Sequence, residues 1–184
     1  MKTIFKLLPF LLITAFVTSC SNDDDAPEPV NEEEVITTLT ATFVPQGGGD
    51  TVVLKSQDLD GDGPNAPVIS VSGPFAAGTT YNGSIELLNE LESPAEDITV
   101  EVEEENLDHQ FFYTPSSSLD ITTAYENFDT DGNPLGTEFS LTANTVSSGT
   151  LTFTLRHLPN KPNTGLGDAG GETDVEATFS VSVQ

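Results

Sequence analysis

The last strand-like stretch of the chain permits few structures. Val175, Ala177, Phe179, Val181 and Val183 alternate with Glu176, Thr178, Ser180 and Ser182. A period of two sends the two sets to opposite faces of an extended segment, so one face is buried and the other is wet. The segment 150–156 repeats the pattern. Leu151, Phe153 and Leu155 face inward, while Thr150, Thr152, Thr154 and Arg156 face outward. Leu39, Ala41 and Phe43 alternate with Thr38, Thr40 and Thr42. Ile85 and Leu87 share a face, as do Leu119, Ile121, Thr123 and Tyr125. Clusters such as Gly47-Gly48-Gly49-Asp50 and Ser72-Gly73-Pro74 mark turns between these runs. Roughly eight to ten short strands separated by turns predict an all-β fold, an antiparallel immunoglobulin-like β-sandwich. One short helix is expected near 94–105, where Ile98 and Val102 suit a helix face, although Ile98, Val100 and Val102 also alternate like a strand. Ser93 can cap it, Pro94 suits its first position and Glu96 completes a capping box.

The sandwich has to stand without disulfides, because the chain has a single cysteine, Cys20. That residue ends a different kind of segment. Lys2 and Lys6 precede an apolar run over 7–17, which is too short to span a bilayer and has the layout of a cleaved export signal. Val17-Thr18-Ser19-Cys20 is similar to the bacterial lipobox. The expectation is therefore cleavage before Cys20 and acylation of its thiol. Residues 1–19 are read as signal peptide, 20–34 as lipidated cysteine and disordered acidic tether, and 35–184 as one β domain. At ~3.3 Å per residue the tether reaches roughly 45 Å at most. The acidic patch Ser21-Asn22-Asp23-Asp24-Asp25 resembles surface-export signals and points to the outer membrane, at its periplasmic face or the cell surface.

Removal of the signal leaves Lys55, Arg156 and Lys161 against 30 acidic residues, a net charge of −27. Nucleic-acid binding requires basic surface and is excluded as an expectation. Attraction to cations or to basic partner surfaces is favoured.

Several stretches carry a family resemblance. They are Leu88-Asn89-Glu90, His109-Gln110-Phe111-Phe112-Tyr113, Gly132-Asn133-Pro134-Leu135-Gly136, Ser148-Gly149-Thr150-Leu151, Leu155-Arg156-His157-Leu158-Pro159-Asn160-Lys161-Pro162 and Gly170-Gly171-Glu172-Thr173-Asp174. Together they resemble small acidic lipoproteins of Bacteroidota often labelled "type 1 periplasmic binding fold superfamily" proteins, whose activity is generally unassigned. The way such lipoproteins are commonly used implies a possible outer-membrane partner, such as a TonB-dependent transporter.

Three constellations can carry chemistry. Asp58, Asp60 and Asp62 stand at i, i+2 and i+4, a spacing that wraps a hard cation such as Ca²⁺ in oxygen ligands. Asn127, Asp129, Asp131 and Glu138 satisfy a calcium-loop spacing, although strands flank them and Pro134 interrupts them. His109 and His157 are the only histidines, each beside a strand. Antiparallel pairing could bring them together with Asp108 or another carboxylate to suit a transition metal, but the favoured reading is two strand-end histidines, each separately hydrogen-bonded. Ring nitrogens more than ~5 Å apart could not share one ion at zinc–nitrogen bond lengths. Tyr81, Phe111, Phe112 and Tyr113 are either ligand contacts or core. No Gly-x-Ser-x-Gly, phosphate-binding glycine loop or second thiol is present, so no catalytic activity is expected. The leading expectation is a non-enzymatic β domain binding a ligand or partner. The alternatives are an accessory to an outer-membrane transporter and a divalent-metal-binding lipoprotein.

Overall fold

The computed structural model describes residues 34–61 and 63–184. Cys20, the signal and most of the acidic segment lie outside the described residues, as does Asp62. The described chain is an antiparallel β-sandwich with two unequal sheets.

The first sheet contains β1 (Thr38–Pro45), β2 (Val52–Gln57), β3 (Val68–Val71) and β4 (Thr79–Asn89), with the two-residue β5 (Glu96–Asp97) paired to the far half of β4. Helix α1 (Ile98–Glu104) follows. The second sheet opens with β6 (His109–Pro115). The chain then returns to the first sheet for β7 (Ile121–Tyr125) and β8 (Glu138–Ala143). It finishes in the second sheet with β9 (Ser147–His157), the four-residue helix α2 (Leu166–Ala169) and β10 (Glu172–Val183). The strand orders are β3-β2-β1-β4-β8-β7 and β10-β9-β6.

The alternating residues named above meet between the sheets. Phe43 and Phe139 from the first sheet lie 6.4 and 6.0 Å from Phe153 of the second, ring centre to ring centre. Phe179 and Tyr113 flank Phe153 at 5.9 and 5.8 Å. Tyr81 belongs to this core, with its hydroxyl accepting a 2.8 Å hydrogen bond from the Ala76 amide. Phe111 and Phe112 point to opposite faces of β6, yet both are buried. Thr154 departs from the expected outward set: it is buried, and its hydroxyl donates to Glu176.

The helix exists but starts later than its sequence signal suggests. Asp97, not Ser93, is the N-cap, accepting from the Thr99 amide at 3.0 Å. Residues Glu96 and Asp97 are drawn into pairing with Asn89 and Leu88, which displaces the helix start from the Ser93 capping box. Ile98 and Val102 then turn into the core, and the Thr99 hydroxyl bonds the Leu87 backbone. Thus α1 is fixed against β4 and leads directly into β6.

Candidate metal centre

Both histidines sit at one end of the second sheet. His109 opens β6, His157 closes β9, and the antiparallel register pairs them directly. Each follows the inward parity of its strand, with Phe111 and Leu155 as the next inward residues. Their rings stack with centres 4.9 Å apart and planes 10° from parallel. His109 is 0% exposed and His157 is 4% exposed.

The third residue arrives through a bulge. In β10, Thr173 pairs with Arg156 and Val175 pairs with Leu155, leaving Asp174 as an extra residue. A bulge lets two consecutive residues point the same way. Thr173 stays outside, accepting a 2.6 Å hydrogen bond from Arg156, whereas Asp174 turns inward onto the histidines. Its carboxylate oxygens lie 3.7 Å from His157 Nδ1 and 3.8 Å from His109 Nε2. The close approach of β10 to the end of β9 depends on Gly171, which has φ +71°. A Cβ there would lie 2.2 Å from the His157 carbonyl oxygen.

The fourth residue is Glu34, which sequence reading places at the end of the tether. Its side chain is only 5% exposed, and its Oε1 lies 3.0 Å from His109 Nε2. One ligand atom from each of Glu34, His109, His157 and Asp174 falls within 4.8 Å of the others. Bonds of ~2.0–2.1 Å place ligand atoms about 3.4 Å apart in a tetrahedron and about 4.2 Å apart across a metal. The four residues therefore form a group that could hold a metal ion, with the more distant ligand atoms drawn in by about 1 Å.

Hydrogen bonding around His109 strengthens that fit. Its Nδ1 lies 3.2 Å from the Glu105 carbonyl oxygen, just past the end of α1. A carbonyl only accepts, so Nδ1 carries the proton in that contact, which leaves Nε2 as the nitrogen available to a metal when the ring is neutral. Nε2 lies 3.0 Å from a carboxylate oxygen of Glu34 and makes no hydrogen bond of good geometry. A nitrogen and a carboxylate oxygen at that distance are matched either by a proton on the ring or by a metal ion between them. A backbone carbonyl that fixes the tautomer of a ligating imidazole is the usual outer support of a metal site. Glu34 Oε2 is likewise buried without a hydrogen bond. Outside this group, Glu101 of α1 has its carboxyl pushed above the usual range, first by burial and then by repulsion from Glu96, Glu34 and other neighbouring carboxylates. The surroundings of the site are therefore acidic.

The calcium-loop spacing at 127–138 is organised differently. Asn127 Oδ1 accepts from the Gly136 and Glu138 amides at 2.9 and 3.1 Å. Asp129 Oδ1 accepts from the Asp131 and Asn133 amides at 3.0 and 2.8 Å. Asp129 Oδ2 takes the Lys161 ammonium at 3.1 Å, and the same ammonium donates to the Asn106 and His109 carbonyls at 2.7 and 2.6 Å. The loop's cation is a lysine of its own chain. Asp131 and Glu138 are exposed. Burial pushes the Asp129 carboxyl up, but hydrogen bonds from Asn133 and Lys161 outweigh it and hold the group below its usual range. Its contribution to stability is present above the unfolded carboxylate pKa of about 3.9 and is lost as pH falls through the lower folded value. Lys161→Ala leaves a buried carboxylate uncompensated and is expected to cost about 3–5 kcal/mol. Urea denaturation at pH 7 measures this; a loss under about 1 kcal/mol would contradict a buried pair.

In the other acidic loop, Asp58 accepts from the Asp60 amide at 3.2 Å, and Asp60 accepts from the Asn65 side chain at 2.7 Å. That side-chain bond leads the causes holding the Asp60 carboxyl low. Asp108 is not in the histidine group; its carbonyl receives the Leu158 amide.

Sequence reasoning found the two histidines and missed both carboxylates. Strict alternation places Asp174 outside, and only the strand register discloses the bulge. Glu34 sits in a run of three glutamates that composition alone marks as solvated. At the opposite end of the sandwich, a cleft of about 520 Å³ lies between the β1–β2 turn, the Ser72-Gly73-Pro74 segment and Gln184. Compared with known protein families, characterised proteins and solved structures, the chain matches none. Fold and site together define the class: a disulfide-free β-sandwich with a buried two-histidine, two-carboxylate cluster.

Proposed function

We propose that the protein is an envelope-anchored lipoprotein whose β domain binds one divalent transition-metal ion through Glu34, His109, His157 and Asp174. The observation that carries this reading is His109 Nε2, fully buried, aimed at a carboxylate and lacking a hydrogen bond, with its other nitrogen held by the Glu105 carbonyl. Two imidazoles favour zinc, manganese, iron, cobalt, nickel or copper(II) over calcium or magnesium, which take oxygen ligands. The group has no thiolate or thioether, so copper(I) is disfavoured. Two carboxylates balance the charge of a divalent ion. Four buried protein ligands suit a structural or metal-holding site, since catalytic zinc keeps a position for water. A role as a non-enzymatic binding protein follows. Three of the four residues also fall within the stretches that resemble the Bacteroidota lipoproteins, and acylation at Cys20 with outer-membrane placement belongs to the same proposal.

The test is metal content. The full chain purified in detergent, stripped with chelator and titrated calorimetrically, is expected to bind one zinc per chain. Elemental analysis of protein purified without added metal identifies the native ion. Silence across micromolar zinc would remove the proposal. A second reading rests on the cleft at the far end, whose volume of about 520 Å³ is within the range of small-molecule sites.

A further inference from the structure

Glu34 differs from its three companions in how it is held. His109, His157 and Asp174 belong to strands that are hydrogen-bonded within one sheet. Glu34 lies before β1. The hydrogen bonding of the first sheet reaches back only to Thr37, whose amide donates to the Leu88 carbonyl at 2.9 Å and whose carbonyl accepts from the Asp58 amide at 2.7 Å. Among the described residues, residues 34–36 take no part in a backbone–backbone hydrogen bond. Ile36 packs on the rim of the core, and Val35 is 54% exposed. Among the described residues, residue 34 is held through its side chain, buried against His109 within 4.8 Å of ligand atoms that include a second carboxylate.

This arrangement has an electrostatic consequence. A divalent ion would bridge Glu34 to the rigid sheet, whereas its absence leaves two carboxylates in a poorly solvated space, repelling each other and drawing Glu34 toward water. We infer that the site is a metal-closed clasp on the N-terminal arm. Metal binding docks residues 34 and 35 over the histidines; metal removal frees them, so that the chain is held only from Ile36 onward. The inference rests on the metal-binding proposal above and adds to it the regulation of that site. The ion would decide where the arm leaves the domain and whether the histidines are covered.

The arm can be watched directly. In the full chain carrying Cys20→Ser and Val35→Cys, a nitroxide on position 35 reports the motion of the arm; zinc is the probe because it is diamagnetic. Saturating zinc, against chelator, is expected to slow the label by about threefold or more, on the nanosecond scale typical of loose termini. A second label at Val146→Cys, on the 74% exposed residue between β8 and β9, is expected to show no change. Calorimetry on the same sample separates the outcomes. Zinc bound with label 35 slowed alone supports the clasp. Zinc bound with label 35 unchanged, or with both labels slowed alike, overturns the clasp and leaves the metal site standing. Failure to bind zinc removes both.

Discussion

Zinc present at one hundred times its dissociation constant is expected to stabilise the protein by about 2.7 kcal/mol, because an ion that binds only the folded state shifts the equilibrium by mass action. For a domain of this size, each kcal/mol moves the melting temperature by roughly 2–4 °C, so the shift should be about 5–11 °C. His109→Ala and His157→Ala should nearly abolish it. Even outer-sphere partners of a metal site are worth about 10–100-fold in affinity, and loss of a direct ligand should cost at least the upper figure. A hundredfold weaker site at the same zinc concentration is half occupied and gains only about 0.4 kcal/mol, or under roughly 2 °C. The readout is the difference between zinc and chelator for each variant, so any effect of the substitution on the metal-free protein cancels. Equal shifts in the unmodified chain and both variants would place bound zinc elsewhere, for example among the surface carboxylates. Asp131→Asn serves as the contrast, because that side chain lies outside the group and should leave the shift intact.

Phe153→Ala is expected to be the most damaging single truncation in the core, costing about 3–5 kcal/mol. Phe153 is fully buried on β9 and touches both layers: Phe43 and Phe139 across the sandwich, Phe179 and Tyr113 along its own sheet. Its removal leaves a cavity walled by rings fixed in mutual edge contacts, which limits collapse. With no disulfide or cysteine in the domain to limit unfolded-chain entropy, the core has little reserve. The melting temperature should fall by roughly 6–20 °C. Phe153→Leu should recover more than half of that loss, since it keeps most of the volume. A loss below about 1 kcal/mol for the alanine variant would mean that the sheets do not pack through this residue.

The two predictions separate the two parts of the molecule. The core variant should lower stability in zinc and in chelator alike and keep the difference between them, while the histidine variants should remove that difference. Lys161 lies between these cases. Its ammonium neutralises Asp129 and also holds the His109 carbonyl, so the loop that looked like a calcium site instead braces His109 from behind.

Sequence alone determined the layers of this protein. The alternation in 150–156 and 175–183 specifies strands with one apolar face, and glycine- and proline-bearing turns between short runs specify antiparallel pairing. Period two depends only on local backbone geometry, so it can be read from one segment at a time. The histidines were legible as candidates for a related reason: each adjoins a readable strand, and there are only two. Tertiary structure decided everything that depends on register between segments distant in sequence. The bulge that turns Asp174 inward exists only in the pairing of β10 with β9. The helix start at Asp97 follows from pairing with β4, which overrides the Ser93 capping signal. The Lys161 ammonium replaces a calcium ion only because a loop some 30 residues away folds back onto Asp129. Glu34 was the least legible residue of all. Nothing in a run of acidic side chains distinguishes the one that will be buried, because its burial is settled by two imidazoles from strands that the chain has yet to form.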